Sequence, residues 1–208
     1  MIHYWPFFKN THDIIDEADL YGGVNARLTY DRFNKSDSAI SLTNGYYKLP
    51  PRVYFNSSYS FLIWAKLKVS TTWARIFDIS NQAPNDVVVF AFNAVPSGGI
   101  SNVYYDKTTS KWTLNAMSSI KLELNRWYHI AFVLNYPNLF IYINGTKLFT
   151  NTATNVPNNV KRTFNFVGRS TSYPADADVN ADYDEIKIFN RALSQDELLF
   201  EMNNEIFV

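Results

Sequence analysis

Apolar and polar residues alternate along most of this chain, the period of two that sends successive side chains to opposite faces of a β-strand. Ten segments follow it: 59–67, 73–80, 86–93, 102–106, 111–116, 127–135, 139–143, 146–149, 163–168 and 183–189. They are rich in β-branched and aromatic residues, and Asn, Asp, Ser, Pro and Gly separate them. Two further segments, 38–42 and 46–50, flank Asn44-Gly45 and are predicted to form a hairpin across it. Strands spaced in this way point to a sandwich or jelly roll.

The sharpest local signal is "LFIYINGTKLF" (139–149). Asn144-Gly145 supplies the two positive-φ positions of a type I′ turn. The register then places Ile143 opposite Thr146 and Ile141 opposite Leu148, with Phe140, Tyr142, Lys147 and Phe149 on the other face. Only the end of the chain reads as helix. Ser194 with Glu197 three residues on is the capping-box pattern, followed by Leu198 and Leu199. This helix is expected to close a single domain spanning 1–208.

Composition narrows the class. Of 208 residues 47% are hydrophobic and 17% aromatic, which argues for a filled core and against disorder. Lys+Arg and Asp+Glu balance at 19 each without forming blocks, so nucleic acid is not an expected partner. No apolar run approaches a membrane span, and the first residues do not read as a signal peptide. Cysteine is absent, which removes disulfides and thiolate chemistry. Sequons at Asn34, Asn56 and Asn144 are compatible with secretion.

Tyr142-Ile143-Asn144-Gly145, the strand Tyr183-Asp184-Glu185-Ile186-Lys187-Ile188-Phe189 and the helix start Asn190-Arg191-Ala192-Leu193-Ser194 occur in that order. With "HYWPF" (3–7), "YSFLIWAKL" (59–67), "NRWYHIAFV" (125–133) and "FVGRS" (166–170), the chain resembles the laminin-G-like, concanavalin-A-like jelly-roll family over nearly its whole length. The resemblance implies an all-β jelly-roll β-sandwich of two antiparallel sheets with a short C-terminal helix. The fold hosts lectins, glycosidases, adhesion modules and spacers, so it does not itself select a function. Relatives often hold a structural calcium through the aspartate matching Asp184, which here shares its alternation with Ile186 and Ile188. A carboxylate on that side must be paired, hydrogen-bonded or bound to metal. An acidic residue usual near the family's N-terminus is replaced by Phe8.

The acidic stretch before that strand places Asp176, Asp178, Asn180 and Asp182 at alternating positions, a calcium-loop pattern. An EF-hand is excluded, because Ala181 stands where glycine is needed and Lys187 where the bidentate glutamate is needed. Glu185 is expected to be solvated and Asp182 to lie in a loop. No strand carries the facing carboxylate pair of a glycosidase. His3, His12 and His129 are scattered, and His129 alternates in phase with core positions. Exposed rings stack on sugars through their apolar faces, and Tyr104 or Tyr105, Asp106, Trp112 and Tyr173 are the candidates. The expectation is a non-catalytic recognition or adhesion module of a larger extracellular protein, binding glycan or protein with calcium as cofactor. The alternatives are a glycoside-active enzyme and a dimerising spacer.

Overall fold

The computed structural model describes residues 1–81, 85–106 and 110–204; at 106, 111 and 113–116 it describes the backbone alone. Thirteen strands and one helix follow in chain order: β1 (His3–Trp5), β2 (Tyr21–Thr29), β3 (Ala39–Lys48), β4 (Ser58–Leu67), β5 (Ala74–Ser80), β6 (Val88–Ala94), β7 (Gly99–Asp106), β8 (Lys111–Met117), β9 (Tyr128–Asn135), β10 (Asn138–Ile143), β11 (Thr146–Thr152), β12 (Phe164–Val167), β13 (Val179–Phe189) and α1 (Gln195–Asn203). Every named pairing is antiparallel. The hydrogen-bonded path runs β11-β10-β9-β4-β13-β3-β12-β5-β6-β7-β8, with β1 on β13 and β2 on β3.

The path is continuous where two separate sheets were expected, because β3 serves both halves. It pairs with β13 through Gly45, then with β12 at Tyr47 and Lys48. The sheet curls, so that its halves meet across an aromatic core. Phe61 of β4 stacks on Phe90 of β6 at 4.5 Å, and Phe90 lies 4.8 Å from Phe132 of β9. Burying such rings is the main source of stability available to an all-β chain.

Asn44-Gly45 does not turn a hairpin. The residues sit inside β3 as a bulge, Asn44 at φ +47°, and the register against β13 shifts there. The same positive-φ preference serves a turn or a bulge, and here the chain continues as one strand. A Cβ at Gly45 would lie 2.4 Å from the Asn25 carbonyl oxygen, so only glycine fits. Strand β2 went unpredicted because it is an exposed edge strand with Gly22, Gly23 and Asn25 in place of an apolar face.

The Asn144-Gly145 hairpin forms as predicted at its tip, with Ile143 opposite Thr146. A bulge then brings Phe149, not Leu148, opposite Ile141. Phe149 packs on the core and Leu148 faces outward, so the extra residue serves burial. Helix α1 has both capping-box bonds, and Leu198 is buried. Leu199 lies over Gly145, where a Cβ would come within 2.3 Å of its Cδ2, and Gln195 donates to the Gly145 carbonyl at 3.0 Å.

All eleven residues of β13 are buried. A bulge at Glu185, whose φ is +47°, shifts the register between Asp184 and Lys187. Tyr183 and Ile186 therefore both point into the core, and Asp184 and Glu185 share the outer face. Alternation alone misplaced Asp184; Glu185 takes the face it was given but is buried there.

Candidate functional site

The alternation of β6 sends Val88, Phe90 and Phe92 into the core and leaves Val89 and Ala91 outside. On β7 it turns Tyr104 inward and Val103 and Tyr105 outward. Val89 and Val103 are nonetheless buried, because aromatic rings cover them. Trp73 and Tyr105 pack on this valine patch. Trp112 of β8 pairs across from Tyr105 at 5.2 Å between centroids, and Tyr173, from the loop before β13, lies 6.0 Å from Trp112 at 32° between planes. Trp112 remains 37% exposed and Tyr173 50%. Gripping a sugar from both faces needs about 7–8 Å between rings, twice the ~3.5–4.0 Å carbon contact. These rings are closer, so they form one continuous apolar wall.

Trp73, Trp112 and Tyr173 border a cavity of about 410 Å³, with Val89 and Val103 in its lining and Arg75 and Asp176 as its charged groups; Tyr104 and Tyr105 line a different one. That size and mixture suit a small ligand oriented by a few polar contacts. Arg75 ties the cavity together. Its Nε donates to Asp78 at 2.8 Å, Nη1 to the Trp73 carbonyl at 2.5 Å, and Nη2 to Ser170 Oγ at 3.0 Å and Asp176 Oδ2 at 2.8 Å. Thr171 Oγ1 donates to the other oxygen of Asp78 at 2.7 Å. Burial pushes the Asp78 carboxyl up, against the pull of Arg75. One guanidinium thus fixes the loop that presents Tyr173. Asp176 keeps 26% of its side chain exposed, beside the rings.

Of the predicted ligand residues, Tyr105, Trp112 and Tyr173 come together. Tyr104 does not join them: it is buried at 2% exposure and hydrogen-bonds Tyr59 inside the core. The Asp106 side chain lies outside the described residues. Sequence reasoning missed Trp73 and Arg75. A charged residue between Ala74 and Ile76, both core positions, was the available signal.

The predicted metal ligands part company. Asp176 binds Arg75, and Asp178 forms a bidentate pair with Arg169 at 2.7 and 2.6 Å. Asn180 exchanges amide contacts with Asn44, holding the β3 bulge. Asp182 lies in β13, not in a loop, and meets Lys66 and Lys68 at 2.8 Å each. Arg32 reaches Asp184 at 2.5 Å and Glu185 at 3.1 Å, and Tyr4 donates to Glu185 at 2.8 Å. Glu185 is thus buried and paired, not solvated. Among the described residues no three of His, Cys, Asp and Glu converge as a metal site. A cation would have to displace arginine or lysine from these carboxylates, so the residues do not fit calcium.

Another cavity, of about 490 Å³, lies beside Tyr136. Its Arg162 is fully buried and donates to the carbonyls of Asp86, Val160 and Asn158, which leaves that guanidinium a structural one.

Residues 41–199 match the laminin G model described as the concanavalin A-like lectin/glucanases superfamily. The chain belongs to that superfamily. No curated protein matches it. Among solved structures, domain 4 of AbnA, a GH43 extracellular arabinanase from Geobacillus stearothermophilus in complex with arabinotriose, superposes with a TM-score of 0.79 at 18% identity, over 97% of this chain and 98% of that one. A Trypanosoma rangeli sialidase mutant displaying trans-sialidase activity gives 0.62 at 13% identity, over 98% of this chain and 33% of that one. The K499G mutant of NanB sialidase from Streptococcus pneumoniae gives 0.58 at 17%, over 77% and 27%. The chain therefore spans about a third or less of these sialidases.

In this concanavalin A-like chain, His129 is buried in phase with Ala131 and Val133, as its alternation predicted, on the face of β9 opposite the main core of Ile130 and Phe132. It lies 5.3 Å from the Trp64 ring, and its Nδ1 has no hydrogen-bond partner among the described residues. Burial, with Lys187 and Arg32 nearby, lowers its pKa to about 3. Between that value and the ordinary ~6.5 the unfolded chain takes up a proton that the folded chain refuses, so this group withdraws stability as pH falls below about 6.5. From pH 7 to 5, wild type is expected to lose about 2 kcal/mol relative to His129→Phe. Urea midpoints of both proteins at both pH values check it, and parallel losses would contradict it.

Proposed function

We propose that this chain is a non-catalytic carbohydrate-binding module of a larger extracellular protein, its curled sheet forming the two layers of a jelly-roll sandwich. One observation carries the reading: Trp112 and Tyr173, exposed and distant in sequence, form one wall over a valine floor, with the Arg75–Asp176 pair beside them. Apolar ring faces complement the C–H faces of a sugar, and the exposed part of Asp176 accepts from hydroxyls. The likeness to an arabinanase domain held with arabinotriose supports a neutral glycan as ligand. Membership of the superfamily and the extracellular nature of that arabinanase support the setting. A binding role rather than hydrolysis is supported by the carboxylates beside the cavity: Asp176 and Asp78 both answer to Arg75.

The test is calorimetric titration with neutral oligosaccharides, arabino-oligosaccharides first, alongside a glycan array. Selective binding without hydrolysis is the expected result; silence across the array, or product release, overturns the reading. The same titrations with calcium and with a chelator are expected to agree, and the melting temperature to stay unchanged. A calcium-dependent shift in either would return the acidic segment to the role of metal ligand.

A further inference from the structure

The loop bearing Tyr173 has a cavity on each side. The first is the one under Trp112; the second, of about 350 Å³, also takes Tyr173 and Asp176 into its lining. Its other aromatic wall is Phe164, at the start of β12, 42% exposed and set edge-on to Phe166 at 4.9 Å. Its charged pair is Arg169–Asp178, with the guanidinium held 3.6 Å over the Tyr46 ring. Each cavity thus has an exposed ring of its own and an arginine–aspartate pair, and Tyr173 stands between them.

Resting on the carbohydrate-binding reading, we infer that the two cavities are adjacent subsites of one site. The ligand is an oligosaccharide chain that crosses Tyr173, with several units in contact. A site for one terminal sugar needs a single pocket closed at its end. Here Tyr173 lines both cavities, and the exposed Phe164 extends the apolar wall beyond it. Phe164 stands outside the main core and meets Phe166 edge-on, which leaves its exposed ring available to a ligand.

The experiment is a length series: linear arabino-, xylo-, manno- and gluco-oligosaccharides of two to eight units, titrated into wild type, Phe164→Ala, Phe164→Tyr and Trp112→Ala. In the series that binds, wild-type affinity is expected to climb about tenfold from two units to the plateau, the scale of one further ring contact. Phe164→Ala flattens the climb while leaving the shortest ligand's affinity in place, and Phe164→Tyr restores it. Trp112→Ala weakens every length. Urea midpoints confirm that Phe164→Ala is folded. Affinity that does not grow with length, or a climb that Phe164→Ala leaves intact, overturns the two-subsite inference while Trp112-dependent binding still stands. Absence of binding in every series removes both.

Discussion

Arg75→Met is expected to cost about 3–5 kcal/mol, the scale of breaking a buried ion pair from one side, and to abolish glycan binding. For a chain of this length that lowers the melting temperature by roughly 10 °C. The side chain is almost wholly buried, and methionine fills much of its volume without supplying a donor. Asp78, fully buried, keeps Thr171 alone as a side-chain partner among the described residues, and the carbonyl of Trp73 and the Oδ2 of Asp176 lose their bonds to Arg75. The stranded carboxyl relieves part of the penalty by holding its proton. Its folded pKa, already raised by burial, climbs further, while the unfolded chain ionises near the ordinary ~3.9. Above that value the folded state carries the extra proton, so the variant's deficit widens as pH rises. Urea midpoints at pH 5 and pH 8 measure this, and the Arg75→Met/Asp78→Asn double variant recovers part of the loss. A deficit independent of pH and unrelieved by the second change would mean that Arg75 acts through packing alone.

Trp112→Ala separates binding from folding. The ring lies on the outer face, over a floor that Trp73 and Tyr105 also cover, so its removal is expected to leave the urea midpoint within about 1 kcal/mol of wild type, as for most exposed positions. Glycan affinity should fall by at least thirtyfold, about 2 kcal/mol, the loss typical of a dominant aromatic contact. Tyr173→Ala should weaken binding similarly, because the two rings make one wall. Calorimetry for affinity and urea titration for stability decide it. A variant that unfolds would make Trp112 a member of the fold's interior, and one that binds normally would move the site elsewhere.

Sequence alone reached most of the strands, the Asn144-Gly145 turn and the capped helix because each is written in neighbouring residues. Its errors at Asn44-Gly45, Leu148 and Glu185 share one cause. A bulge adds a residue and reverses the alternation beyond it, and nothing in the local pattern announces that residue. The fate of the acidic residues was hidden by distance, since Arg32 lies 152 positions before Asp184 and Arg75 lies 101 before Asp176. The rings could be nominated one by one. That Trp112 and Tyr173 touch depends on β8 and the loop before β13 arriving at one face, which only the assembled sheet provides.

Strand β13 follows the other twelve strands in chain order, yet its neighbours are β4 on one edge and β3 with β1 on the other. Hairpins such as β9-β10-β11 can assemble while synthesis continues, but the centre of the sheet stays open until β13 arrives. Contacts that join residues so far apart slow folding. A nascent chain stopped before residue 179 would expose the unsatisfied edges of β3 and β4, surfaces that recruit other strands. Chaperone dependence and aggregation should therefore peak once β1–β12 have been made and just before the acidic segment leaves the ribosome.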